Sequence, residues 1–273
     1  MASFFLRKKN TENTEPFPFL CPEMDFFQQF NLTDFEWAIV VGSALAIGLS
    51  KTGLSGLGTM FVPIMAHVFG GKASSGIVLP MLVMADVFAV VYYRRHADWP
   101  VLMKLLPWAF VGIVIGTFTS QQIDDEVFKQ IMGVIIVVSV AVMIWQETRT
   151  EYLIPSHWAF AALMGLAAGY TTMVGNLAGA VTALYLLSMR LPKNNFIGTG
   201  AWFYLAINVF KLPFHIFSWK TVTWESFKLD LAVFPVIAAG AMLGIVITRY
   251  LSEALYRKFI IGMTLATVLL LFW

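Results

Sequence analysis

Trp158-Ala-Phe-Ala-Ala-Leu-Met-Gly165-Leu-Ala-Ala-Gly169-Tyr170-Thr171-Thr172-Met-Val-Gly175-Asn176-Leu-Ala-Gly179-Ala-Val-Thr-Ala-Leu-Tyr-Leu-Leu-Ser188-Met189 contains no Asp, Glu, Lys or Arg, and that charge-free run extends back to Tyr152. A helix spanning a bilayer takes about 20 mainly apolar residues, or about 17 at the short end. The run therefore accommodates two short spans, and Gly169 to Asn176 supplies the break between them. Leu231–Thr248 and Ile131–Trp145 are further charge-free runs. Over the whole chain 59% of residues are hydrophobic and 12% charged, with mean hydropathy +0.75. A soluble domain carries roughly 25% charged residues. Half that share means that most of the surface faces something other than water. The sequence thus predicts an all-α, polytopic transmembrane bundle of about 8 to 10 segments.

The expected segments are 37–50, 56–70, 76–93, 101–119 and 127–146, then 157–171, 176–189, 196–217, 229–249 and 257–273. The first two of each set are short and glycine-flanked, either broken helices or re-entrant hairpins. The sets also resemble one another. Pro107-x4-Gly112-x3-Gly116 recurs as Pro235-x4-Gly240-x3-Gly244, Gly133 is echoed by Gly262, and Gly48 and Gly58 are spaced like Gly165 and Gly175. Their shared order predicts a duplicated unit. This divides the chain into a polar or interfacial tail (1–36), a first transmembrane repeat (37–150) and a second (151–273).

Short basic loops stay cytoplasmic. In a ten-segment path Arg94, Arg95 and Lys104 share one side with Arg190, Lys193, Arg249, Arg257 and Lys258, while Asp124, Asp125 and Glu126 fall opposite. Each half then has an odd number of crossings, which makes the repeats inverted. Arg7-Lys8-Lys9 and Lys72 oppose this orientation. The polar stretch after Arg7-Lys8-Lys9 does not read as a cleavable signal peptide. Phe26, Phe27, Phe30 and Phe35 fit either an interfacial piece or a loose leader. Asn31-Leu-Thr33 matches a glycosylation triplet, a common chance pattern. The net charge of +2 is too small and too scattered for nucleic-acid binding. Cys21 stands alone, so no intrachain disulfide or Cys-rich zinc site can form.

The densest chemical signal is Gly48-Leu-Ser50-Lys51-Thr52-Gly53-Leu-Ser55-Gly56-Leu-Gly58, followed by Pro63. Unwound backbone at membrane depth occurs only where it is buried in protein or lines a cavity. Its free N–H groups and the adjoining helix N-terminus suit an anion, and Lys51 with the hydroxyls of Ser50, Thr52 and Ser55 adds donors. The alternative is that these glycines let helices pack closely. The matching stretch, Gly169 to Gly179, keeps glycines and hydroxyls, with Thr171, Thr172, Gly175 and Asn176 as candidates, but lacks a lysine. Asp86 interrupts an uncharged run from Ala73 to Tyr93, where a carboxylate must be paired, wet or protonated. It fits a proton-coupling group or a structural partner of a buried lysine or hydroxyl. Its counterpart Asn208 is followed by Lys211 and His215. Lys211 is a second cation for an anionic substrate unless it snorkels to the interface. His215 fits a proton relay or an ordinary interfacial side chain. Ser74 and Asn194 read as helix caps. Thr199, deeper in its segment, reads as a further anion-binding donor.

Enzyme patterns do not occur: His67, His96, His157 and His215 lack metal-ligand spacing, and there is no GxSxG elbow. The sequence calls for no cofactor and no metal. It predicts a small anionic substrate and a lipid bilayer as partners, and leaves a homo-oligomer open.

Gly48-Leu-Ser-Lys-Thr-Gly53-Leu-Ser-Gly56-Leu-Gly58 with Pro63, Ser75-Gly76-Ile-Val-Leu-Pro80, and Asp86-Val-Phe-Ala-Val-Val-Tyr-Tyr-Arg94-Arg95-His96 together resemble the TauE/SafE sulfite-exporter family. The resemblance covers nearly all of 37–273. It implies a two-repeat helical membrane fold, location in a plasma or bacterial inner membrane, and export of sulfite or small organosulfonates. The family's usual motif is richer in glycine; here the second half carries Gly175-Asn176-Leu-Ala. The expected mechanism is secondary transport driven by a proton or ion gradient. A channel-like anion pathway is the alternative, and an intramembrane enzyme or assembly factor a more distant one.

Overall fold

The computed structural model describes residues 32–54, 57–119, 141 and 158–271. Among them there is no strand, and the helices fall where hydropathy put them. They are α1 (Asp34–Thr52), α2 (Leu57–Phe69), α3 (Gly71–Tyr93), α4 (Trp99–Thr119), α5 (Trp158–Gly175), α6 (Ala178–Ser188), α7 (Lys193–Pro213), α8 (Trp224–Tyr250) and α9 (Glu253–Leu271). The tail before Leu32 and the expected segment 127–146, except Ala141, lie outside the described residues, as does Gly133. By length and composition α1, α3, α4, α5 and α8 can cross a membrane.

Local chemistry sets the ends. α1 begins at Asp34, ahead of the expected position, because Thr33 and Glu36 form a capping box: Thr33 Oγ1 accepts from the Glu36 N–H at 3.3 Å, and Thr33 N–H donates to the Glu36 carboxylate at 2.7 Å. Thr223 and Ser226 cap α8 in the same way. Pro213 closes α7, and the chain continues through a π turn at Phe214–Ser218, a rare geometry that is frequent at functional sites. α2 and α6 have 13 and 11 residues. At ~1.5 Å per residue they reach about 20 and 17 Å, well short of the ~30 Å hydrocarbon core. The second segment of each set is therefore a half-helix, while α1 and α5 are of spanning length.

The main contacts exchange between the sets: α4 packs on α5 and α8 packs on α1. Glycines set how close these pairs come. A Cβ at Gly48 lands on the backbone of Ile237 and Ala241, one at Gly240 on Leu45, one at Gly53 on Thr248, and one at Gly244 on Thr52 and Leu49. In the other pair Gly112 meets Leu166, Gly169 and Tyr170; Gly165 meets Leu105 and Trp108; and Gly169 meets Ala109. Numbers rise together along both members, so each pair is parallel. The repeated Pro-x4-Gly-x3-Gly motif is thus the surface on which the other set's first helix lies. Gly48→Ala and Gly169→Ala are each expected to destabilise the protein by about 1–3 kcal/mol, because the obstructing atoms are backbone. Gly262→Ala, whose Cβ meets nothing within 4 Å, is expected to be neutral or slightly stabilising. Thermal denaturation in detergent reads the difference.

α3 is the most enclosed span, with 72% of its apolar window buried, so it forms the middle of the bundle. It packs on α7. Gly76 near the start of α3 touches Thr221 just beyond α7, while Gly198 near the start of α7 touches Tyr93 and His96 at the end of α3. The two helices are therefore antiparallel. Valine, leucine, isoleucine and methionine side chains on α4, α5 and α8 remain exposed, among them Val111, Leu163, Met242 and Val246, as an apolar solvent requires. The basic clusters gather at one end of the bundle. Lys193 Nζ donates to the carbonyls of Thr248 and Leu251, and Arg249 donates to the Tyr92 hydroxyl beside Arg94 and Arg95.

Candidate functional site

Where α1 ends, α5 breaks into α6, and α3 crosses α7, a set of polar side chains is buried together. Lys51 occupies the last turn of α1. Its ammonium lies 2.9 Å from Asp86 Oδ1 on α3 and 4.1 Å from the ring centre of Tyr204 on α7. Asn208, also on α7, donates through Nδ2 to Asp86 Oδ2 at 2.6 Å. Asp86 is fully buried, whereas the Lys51 side chain keeps 11% exposure, so the pair is reached from the lysine side. Each partner offsets part of the other's desolvation, and Tyr204 adds a cation–π face.

Lys211 follows Asn208 by three residues, a spacing that puts both on one face of α7. Its Nζ donates to Thr172 O at 2.8 Å, to Thr172 Oγ1 at 3.0 Å and to Asn176 Oδ1 at 2.6 Å. All three are uncharged oxygens, and the residue is fully buried. Asn176 stands in the break between α5 and α6 with φ +56°, a left-handed conformation that Asn adopts more readily than most residues. Its Nδ2 reaches Ser75 O and Oγ on α3, both at 3.2 Å. One asparagine therefore ties the helix break to α3 and α7.

The expected site residues do not all converge here. Lys51, Asp86, Asn208, Thr172, Asn176 and Lys211 do. Gly175 ends α5 next to Asn176, and buried Thr171 donates within its own helix to Ala168 O at 3.1 Å. Thr52 and Gly53 turn instead to α8: Thr52 Oγ1 hydrogen-bonds Gly48 O at 3.1 Å and Ala241 O at 2.8 Å, and Gly53 packs on Thr248. Their contacts are those of helix packing. Gly58 is in α2; Ser55 and Gly56 lie outside the described residues. Thr199 sits toward the basic end, where its Oγ1 accepts from the Asp98 N–H at 2.8 Å. His215 occupies the π turn one helical turn beyond Lys211, with Nδ1 2.8 Å from Thr221 Oγ1 and its ring 4.9 Å from Trp219.

Two contributors, Tyr204 and Ser75, stand outside the expected site residues. Tyr204 carries no signal, since an aromatic on a buried helix is ordinary core. Ser75 reads as a helix-start residue, yet it holds Asn176. Among the described residues no three His, Cys, Asp or Glu side chains are grouped to hold a metal.

The cluster can offer ammonium, amide and hydroxyl donors in a dry setting, which is chemistry suited to an oxyanion. Searches of curated proteins and of solved structures returned no match. The family model for the sulfite exporter TauE/SafE matches residues 40–271, nearly the whole chain. With five helices long and apolar enough to cross a membrane, and a match over that length, the chain belongs to the TauE/SafE sulfite-exporter family of membrane transporters.

Proposed function

We propose that the protein is a secondary transporter that exports a small oxyanion, sulfite or an organosulfonate, across the cell membrane in exchange for energy stored in a proton or ion gradient. The observation that carries this reading is a charge imbalance. The buried cluster holds Lys51 and Lys211 against the single carboxylate Asp86, and Lys211 has only neutral acceptors. An uncompensated buried ammonium is costly, and an oxyanion entering beside it would lower that cost.

The scaffold reading is a pair of inverted repeats, residues 37–150 and 151–273. It is supported by the reciprocal packing of α1 on α8 and α4 on α5, by the antiparallel meeting of α3 and α7, and by the Asp86–Asn208 contact between counterpart positions. Inverted halves are suited to alternating access around a shared midplane site. The gathered arginines and lysines favour placing that end in the cytoplasm.

The test is sulfite flux into proteoliposomes, together with the thermal stability of the purified protein. Sulfite at about 100 times its dissociation constant is expected to stabilise the fold by about 2.7 kcal/mol. Saturable flux that follows an imposed pH gradient is the expected result. Absence of flux for sulfite, sulfonates and related oxyanions under every gradient would sink the proposal, and ohmic single-channel current would replace the carrier by a channel.

A further inference from the structure

Asp230, in the second turn of α8, is fully buried, and neither carboxylate oxygen has a hydrogen-bond partner among the described residues. Its neighbours along the helix, Leu229 and Val233, belong to an apolar cluster with Val40, Ala44 and Met81. Asp86 is just as buried but partnered: its carboxylate has the Lys51 ammonium at 2.9 Å and the Asn208 amide at 2.6 Å. One carboxylate is equipped to stay ionised; the other is equipped only to be neutral. An isolated carboxylate in an apolar interior takes up a proton instead of bearing the desolvation cost.

We infer that Asp230 is the proton-carrying residue of this transporter, alternately protonated and ionised during the cycle, while Asp86 remains the fixed partner of Lys51. This rests on the secondary-transport reading above. In the arrangement seen here, buried and without a partner among the described residues, Asp230 holds its proton. When the bundle rearranges and water reaches it, the O–H bond breaks, the proton passes to water and the carboxylate stays behind; the reverse step reloads it. No other bond changes, and the proton gradient supplies the only co-reactant.

Two features fit the role. Asp230 lies six residues into α8, about 9 Å from the helix start, so a short path connects it to one membrane face. The same helix is locked to α1 through Gly48, Gly240 and the Thr52 Oγ1–Ala241 O hydrogen bond, and α1 ends at Lys51. A shift of α8 therefore moves the anion site as a packed unit.

No described cation competes for Asp230. α1 brings Asp34, Glu36 and Lys51 toward α8, with Glu36 held by Thr33 and Lys51 by Asp86. α3 brings Asp86, Tyr92 and Tyr93, with Tyr92 held by Arg249 of α8, and at its start Lys72, whose side chain lies outside the described ones. On α8 itself Lys228 lies over Trp224, and Glu225 is in the first turn. None of these is hydrogen-bonded or ion-paired to Asp230.

The experiment compares the wild type with Asp230→Asn, which keeps the shape and removes the titrating proton. Labelled sulfite is followed in proteoliposomes in two modes, accumulation driven by a pH gradient and counterflow exchange without one. The variant is expected to lose gradient-driven accumulation by at least about fivefold, the lower end of typical coupling between sites, with counterflow unchanged. Gradient-driven accumulation at the wild-type level in the variant overturns the proposal. Infrared spectroscopy of the purified protein reads the proton without any transport. A protonated-carboxyl C=O band present in the wild type, titratable with pH and missing in Asp230→Asn supports the assignment. Its absence, or a band that no pH change moves, overturns the assignment. If the wild type moves no sulfite in either mode, the substrate reading fails, and the infrared titration alone decides for or against Asp230.

Discussion

Lys211→Met is expected to lower sulfite flux at subsaturating concentration by about 10- to 150-fold while leaving the fold intact. The ammonium's interactions with an oxyanion are charge-assisted hydrogen bonds, worth about 1.5–3 kcal/mol each, which corresponds to that range. The stability change is a balance. Removing the ammonium orphans Asn176 Oδ1, a cost of about 1–3 kcal/mol. Thr172 O is not orphaned, because it also accepts the Asn176 N–H at 3.0 Å. Against this, methionine abolishes the desolvation of a buried charge that no carboxylate contacts. Flux should therefore collapse while thermal stability moves by no more than about 2 kcal/mol in either direction. Lys211→Arg should restore little, since a planar guanidinium does not reproduce three converging contacts around one nitrogen. Wild-type flux and half-saturation in Lys211→Met would remove Lys211 from the site.

The second large effect is expected at the ion pair, and its signature is non-additivity. Lys51→Met leaves Asp86 fully buried with Asn208 alone, and should cost about 3–5 kcal/mol. Asp86→Asn should cost less, because the freed ammonium retains some exposure and the Tyr204 ring. The double variant Lys51→Met/Asp86→Asn removes both charges and should recover most of the loss, giving a coupling energy of about 2–3 kcal/mol in a double-mutant cycle. Transport should stay abolished in all three. Recovery of the fold without recovery of flux separates the pair's structural contribution from its part in anion binding. Additive destabilisation would mean that the contact contributes little to either.

How much of this was legible in the sequence depends on the residue. Asp86 stood out because a carboxylate in an apolar span demands an explanation. Asp230 satisfies the same criterion but borders the charge-free run 231–248 instead of interrupting one, so the pattern does not expose it. Lys211 and Asn176 were singled out separately, one as a cation in a span and the other as part of a glycine break. Their contact at 2.6 Å spans 35 residues and follows from how α5 ends against α7. The Gly48–Gly58 stretch proved to be divided. Lys51 points toward α3, whereas Gly48, Thr52 and Gly53 point toward α8. Cavity and packing were rival readings of one motif; adjacent directions around the same helix, one toward α3 and one toward α8, separate them. Rotation about the helix axis decides the matter, and glycine content carries no information about that rotation.

The sequence by itself determined where the helices lie and the repeated Pro-x4-Gly-x3-Gly motif; that only the second member of each set is half-length came from the structure. Segment length, hydropathy and capping are local properties, and a bilayer allows a long apolar segment few alternatives to a helix. Only the tertiary structure decided which polar groups neutralise one another. Lys51 with Asp86, Asn208 with Asp86, and Thr52 with Ala241 join positions 35, 122 and 189 residues apart. In a dry interior a charge is tolerated only where a partner meets it, and such meetings are set by the packing of α1 on α8 and of α3 on α7.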